Sequence, residues 1–202
     1  AGQFKSTYAQ DQQIFPIRQD RVAVTLLLVF AFVVVPLIGD QYWLSALITP
    51  FLIFALATIG LNILTGYAGQ LSLGTAAFMA VGAFAAYNFM LRVPGMPILA
   101  AFVLAGVCAA LVGIVFGLPS LRIKGFYLAV ATLAAQFFVV WALTKFSWFS
   151  NNSSSGVISA QKIEILGYAF DSPVSKYLFT LGIVSMLALA AKNMVRSSVG
   201  RA

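Results

Sequence analysis

The stretch 62-NILTGYAGQLSLGTAAFMAVGAFAA-86 decides the fold. Its second half is apolar enough to lie in a membrane, whereas its first half carries Gly66, Gly69 and Gly74 with Asn62, Gln70 and Ser72 among them. Glycine weakens a helix by about 1 kcal/mol per residue, and polar side chains in lipid cost more still. A simple lipid-facing helix therefore breaks here, and the stretch separates one apolar run ending near Leu64 from another beginning at Thr75.

Working outward, the same alternation of long apolar runs and short polar breaks fills most of the chain. Spans are expected over residues 22–38, 43–64, 75–91, 98–117, 126–143 and 177–191, divided by breaks such as 39-GDQY-42 and 94-PGMP-97. The expected fold is all-α: a polytopic membrane protein of about six transmembrane helices. Residues 1–21 form a polar tail, 22–191 the membrane domain with a loop over 144–176, and 192–202 the start of a further loop. Because the tail lacks a long apolar core, it does not have the form of a signal peptide.

Composition supports this reading. Hydrophobic residues make up 61% of the chain and charged residues 8%, against about a quarter charged in an ordinary soluble domain. The longest runs approach the roughly 20 residues that a 30 Å hydrocarbon layer demands. The net charge of +7 does not imply nucleic acid, because the cations sit mostly at the ends of apolar runs, where the bias of basic residues toward the cytoplasm explains them.

Six spans place both termini on one side of the membrane. Lys5, Arg18, Arg21, Arg122, Lys124, Lys192, Arg196 and Arg201 then share that side, against Arg92, Lys145, Lys162 and Lys176 on the other. That asymmetry makes both termini cytoplasmic and the loop 144–176 external. Within it, 151-NNSSSG-156 is expected to be flexible. Five spans, with the glycine segment as a kink in one long helix, would leave a basic end outside.

Several chemistries find no residues to carry them. With no histidine and no cluster of cysteines or carboxylates at ligand spacing, the chain has no metal site. It also lacks a phosphate-binding loop, so any ATP hydrolysis belongs to a partner. No cofactor is implied. No nucleophile stands beside a base, which argues against an enzyme embedded in the membrane. The lone Cys108 has no partner for an internal disulfide. The spans also lack Asp, Glu, Lys and Arg away from their ends, so proton coupling has no titratable group at depth and energy for transport must arrive from elsewhere.

Three features remain as candidate sites. Ala105, Ala109, Gly113 and Gly117 recur every four residues along one helix face, a spacing suited to close helix packing in lipid. Segment 62–74 admits two readings, a tight packed turn or the lining or gate of a hydrated path, since irregular backbone survives in a membrane only where protein or water covers it. The loop 120-SLRIKG-125 is either a topology signal or a docking surface for a cytoplasmic partner. Asn88 and Gln136, isolated in their spans, are expected to hydrogen-bond a neighbouring helix.

Taken together, 62-NILTGYAGQLSLGTAAFMAVGAF-84, 118-LPSLRIKGFYLAVATLA-134 and the loop with S-S-G-V-I-S-A resemble the M-type permease subunits of bacterial branched-chain amino-acid ABC transporters. The resemblance covers most of the chain. It implies an inner-membrane permease for leucine, isoleucine and valine, working with a second homologous permease, two cytoplasmic ATP-binding subunits and a periplasmic binding protein. By the same resemblance, Asn62, Gly66, Tyr67, Gly69, Gln70, Ser72 and Gly74 shape or gate the path, and Arg122, Lys124 and Gly125 face the ATPases. The final residues 196-RSSVGRA-202 look like the opening of the family's cytoplasmic coupling loop, truncated here. A permease for urea or another small amide is the alternative within the same architecture, and a membrane scaffold the alternative outside it.

Overall fold

The structure, a computed structural model, describes residues 18–120, 125–153, 155–159, 164–165 and 168–197. Most of these are helical. Helix α1 (Arg18–Val29) passes through a π-helical turn, Phe30–Val34, into α2 (Val35–Ile38). After a break at Gly39 and Asp40, a second π-helical turn, Trp43–Ile48, leads into α3 (Thr49–Asn62) and a third, Ile63–Tyr67. Helices α4 (Thr75–Arg92), α5 (Ile98–Ser120) and α6 (Phe126–Lys145) follow. A single turn α7 (Ser147–Ser150), an antiparallel pair β1 (Glu164–Ile165) and β2 (Tyr168–Ala169), and α8 (Pro173–Arg196) complete the order.

Two of the π-helical turns are written in the sequence. Pro36 and Pro50 each lie within two residues after one. A proline ring inside a helix crowds the carbonyl four residues back and supplies no N–H to it. The wider turn re-registers the hydrogen bonds ahead of the ring. At the second site the Thr49 N–H and hydroxyl both donate to the Leu44 carbonyl, the hydroxyl at 2.7 Å.

Among the described residues, five helical stretches are long and apolar enough to cross a membrane: Gln19–Ile38, Trp43–Tyr67, Ile98–Leu118, Phe126–Lys145 and Pro173–Arg196. The sequence expects about six. The remaining one, α4, is a helix of 18 residues whose apolar run is diluted near its end by Asn88 and Arg92. Large apolar side chains such as Leu27, Phe30, Phe51, Val103, Val115 and Phe137 point outward. Surface of this kind loses roughly 25 cal/mol per Å² in water, so lipid is the solvent it fits.

The chain divides into two compact units, Ala1–Gly60 with Ser172–Ala202, and Leu61–Asp171. The first unit is centred on Leu44, Tyr177 and Leu181, with Ala31, Val35 and Ile48 packed around them. Tyr177 is fully buried, and its hydroxyl donates to the Ala31 carbonyl in the first π-helical turn at 2.8 Å. In the second unit Ala77 and Val81 of α4 meet Val139 and Leu143 of α6, with Ala109, Val112 and Phe116 of α5 against them.

Three sequence expectations need correction. The last helix is longer than 177–191. The Ser172 hydroxyl oxygen accepts the Ser175 N–H at 3.1 Å, Pro173 fills the first helical turn, and the helix runs on to Arg196. Helix α5 extends past Gly117 to Ser120: proline's fixed φ is compatible with helical backbone, so Pro119 costs a hydrogen bond near the helix end without stopping it at Gly117. In the stretch expected to be flexible, the described residues 151–153, 155 and 156 form a bonded turn. Asn151 and Asn152 adopt left-handed angles, the Asn152 N–H donates to the Ser147 carbonyl at 2.8 Å, and Gly156 is buried with a left-handed φ against Thr144.

Candidate functional site

The glycine segment begins where the helix Trp43–Tyr67 ends. At about 1.5 Å per residue those 25 residues make roughly 35 Å of helix, a full membrane crossing, so residues 68–74 sit at the end of one crossing and the start of α4. The segment is not a kink inside one long helix. The Ala68 N–H donates to the Ile63 carbonyl at 3.2 Å and the Gln70 N–H to the Leu64 carbonyl at 3.1 Å. Between them Gly69 turns the chain with φ of +64°.

From Leu71 onward the segment packs. The Leu73 N–H donates to the Thr132 hydroxyl oxygen on α6 at 3.0 Å, and that hydroxyl donates to the Ala129 carbonyl at 2.9 Å. Ser72 and Gly74 are buried, and the Gly74 N–H reaches the Ser72 hydroxyl oxygen at 3.3 Å. A Cβ at Gly74 would stand 3.3 Å from the Thr132 carbonyl, which is why the backbones approach so closely here.

The two sequence readings of this segment thus divide along the chain. Ser72 and Gly74 form a packed turn on α6. Asn62, Gly66, Tyr67 and Gly69 are exposed, and Gln70 is half-buried. A side chain at Gly69 would meet nothing within 4 Å, whereas the Asn62 side-chain oxygen lies over Gly66, 2.9 Å from where a Cβ would stand. Among the described residues, the N–H groups of Gly69 and Leu71 have no acceptor. Unpaired backbone donors in a membrane protein require water or a polar partner.

A second polar centre, built on Asn88, which the sequence expects to bond a neighbouring helix, and on Arg92, which it does not single out as a site, lies at the far end of α4. The Asn88 side-chain amide donates to the Phe84 and Phe149 carbonyls, both at 2.8 Å. Its oxygen accepts from Arg92 Nε at 2.9 Å. Arg92 Nη2 donates to the Trp148 carbonyl, and the guanidinium lies 4.1 Å from the centre of the Trp148 ring. This clamp holds α7 onto α4. The one-turn spacing of Asn88 and Arg92 was available from the sequence, but their partners more than 50 residues away were not.

The small-residue stripe lies within the same unit. Ala105 is buried, Ala109 and Gly113 are half-buried, and Gly113 stands over the Phe78 ring. A Cβ at Gly117 would meet nothing within 4 Å. Arg122 and Lys124 lie outside the described residues. Gly125 is exposed, has φ of +66° and precedes the first turn of α6. Among the described residues, no group of His, Cys, Asp or Glu is arranged to hold a metal ion.

Residues 43–202 match the family described as branched-chain amino acid transport system / permease component. The high-affinity branched-chain amino acid transport system permease protein LivM of Escherichia coli (strain K12) is 38% identical over 84 residues, 41% of this chain. The LivM protein of Salmonella typhimurium gives the same identity over the same length. The matched stretch spans 19% of either relative. No solved structure matches.

Proposed function

The chain belongs to the branched-chain amino acid transport system / permease component family, and from that premise we propose that it is a permease subunit of an ATP-driven importer. It is a transport component and not an enzyme, a multi-pass protein of the bacterial inner membrane. Its substrates are leucine, isoleucine and valine, delivered by a periplasmic binding protein. A second homologous permease completes the path, and two cytoplasmic ATP-binding subunits supply the energy that a chain without charged residues at depth cannot collect for itself. Both termini face the cytoplasm, and the segment 144–176 faces outward.

The observation that supports this reading best is the family match across residues 43–202, which takes in both the glycine segment and α4 to α6. Within it, the exposed half of the segment, from Asn62 to Gln70, offers an open face to a small polar solute, with the unpaired Gly69 N–H in it and that of Leu71 beside it. Ser72 and Gly74 anchor that face on α6. Gly125, with Arg122 and Lys124, forms the contact with the ATP-binding subunits.

Radiolabelled leucine uptake tests the reading, in cells lacking their own transporter and expressing this protein with its partner subunits. Energy-dependent uptake, competed by isoleucine and valine, is the expected result. Uptake of urea in place of leucine would move the substrate to small amides. Uptake of neither would overturn the assignment.

A further inference from the structure

The second unit contains a half-enclosed cavity of about 540 Å³ beside α4, closed by α5, α6 and α7. Its lining runs from Val81 to Arg92 along α4, continues to Val93 and includes Phe84, Phe116 and Phe138. At 1.5 Å per residue, Val81 to Arg92 makes a slot roughly 16 Å long. Asn88 and Arg92 form its rim with almost no polar surface facing inward, and the rest of the slot is bordered by aliphatic, aromatic and cysteine side chains.

The chemistry of that rim narrows the occupant. Both ends of the Asn88 amide are committed, to the Phe84 and Phe149 carbonyls and to Arg92. The Asn88 oxygen keeps one lone pair but is buried, and almost no polar atom is exposed inside the slot, so an ammonium group there would go unpaired, which is costly. A zwitterionic amino acid is therefore a poor match. Arg92, in contrast, is exposed, and no carboxylate pairs with it among the described residues. Of the five guanidinium donors, Nε and one Nη2 hydrogen are used, and the Nη1 donors remain. Trp148 stands beside it, a residue type that settles at the level of lipid headgroups. A long apolar slot with one uncompensated cation at its mouth complements an anionic amphiphile.

We propose that this slot holds an acyl chain of a membrane phospholipid, with its phosphate on Arg92. The lipid fills the space between α4, α5 and α6 as a structural component of the second unit. This rests on the membrane location of the chain and not on the identity of the transported solute.

Native mass spectrometry of the protein, purified with its partner subunits and washed in a delipidating detergent, tests the idea. The probes are phosphatidylglycerol and a diacylglycerol with the same acyl chains. One phosphatidylglycerol per chain should survive the wash. Ala142→Trp and Cys108→Phe, which fill the slot from two different helices, should each lower retention at least tenfold. Either one suffices if the other fails to fold. Val103→Trp, on the outward face of α5, should leave retention unchanged. Arg92→Gln should lower phosphatidylglycerol retention several-fold and leave diacylglycerol unaffected. Absence of retained lipid in the unaltered protein, undiminished retention in both filled variants, or displacement of the lipid by leucine would each overturn the proposal.

Discussion

At the scale of single residues, Gly69 makes the sharpest demand. Its φ of +64° belongs to the left-handed region, and open space surrounds the position a side chain would take. A leucine there has room but not the backbone angle. Strain of about 1–2 kcal/mol would push the turn toward another conformation. Gly69→Leu is accordingly expected to abolish leucine uptake at normal membrane levels. Gly69→Asn should keep most of it, because asparagine tolerates the left-handed region better than other residues with a Cβ. Equal uptake by the two variants would remove this turn from the transport path. Five residues along the chain the constraint reverses. Gly74 is ordinary in its angles but too close to the Thr132 carbonyl for any side chain to enter freely.

At the scale of elements, the π-helical turns mark where hydrogen bonds are least regular and tertiary support matters most. Tyr177 on α8 supplies such support to the turn Phe30–Val34 through its bond to the Ala31 carbonyl. Tyr177→Phe keeps the ring and removes the bond. It should destabilise the protein by about 1 kcal/mol, seen as a lower Tm in detergent. An unchanged Tm would show that the carbonyl finds an equivalent partner within its own helix. Element by element, the apolar runs at 43–64, 75–91 and 126–143 fall within helices because twenty apolar residues in lipid have no other way to satisfy their backbones. What was not legible had a local cause of a different kind. The start of α8 depends on the Ser172 cap, the turn at Asn151 and Asn152 on left-handed angles followed by Gly156 seated against Thr144, and the clamp at Arg92 on Trp148 arriving from elsewhere. Hydropathy registers none of these, since each is set by specific contacts and not by how apolar the segment is.

At the scale of the whole molecule, the proposed function works through partners, and the basic loop before α6 is where the ATP-binding subunits are proposed to dock. Reversing both charges, with Arg122→Glu and Lys124→Glu, replaces attraction by repulsion worth several kcal/mol at a contact surface. Co-purification of the ATP-binding subunits should then fall roughly tenfold or more while expression and topology hold. Undiminished co-purification would leave the loop a topology signal alone. The glycine segment shows the same dependence on scale. Its residue types announced a break in the helix, yet only the folded unit shows which half packs on α6 and which half stays open.

The division of the chain also bears on how it is made. The first unit takes its opening helices from the N-terminal side of the second and its closing helix, α8, from the C-terminal side. Tyr177 meets a carbonyl 146 residues upstream of it. At about 5–20 residues per second on the ribosome, the early helices wait for this partner for roughly ten seconds or more. During that interval Leu44 and the first π-helical turn have no α8 to cover them, so the insertion machinery or lipid must do so. The second unit, continuous in sequence, can close while the first is still unfinished.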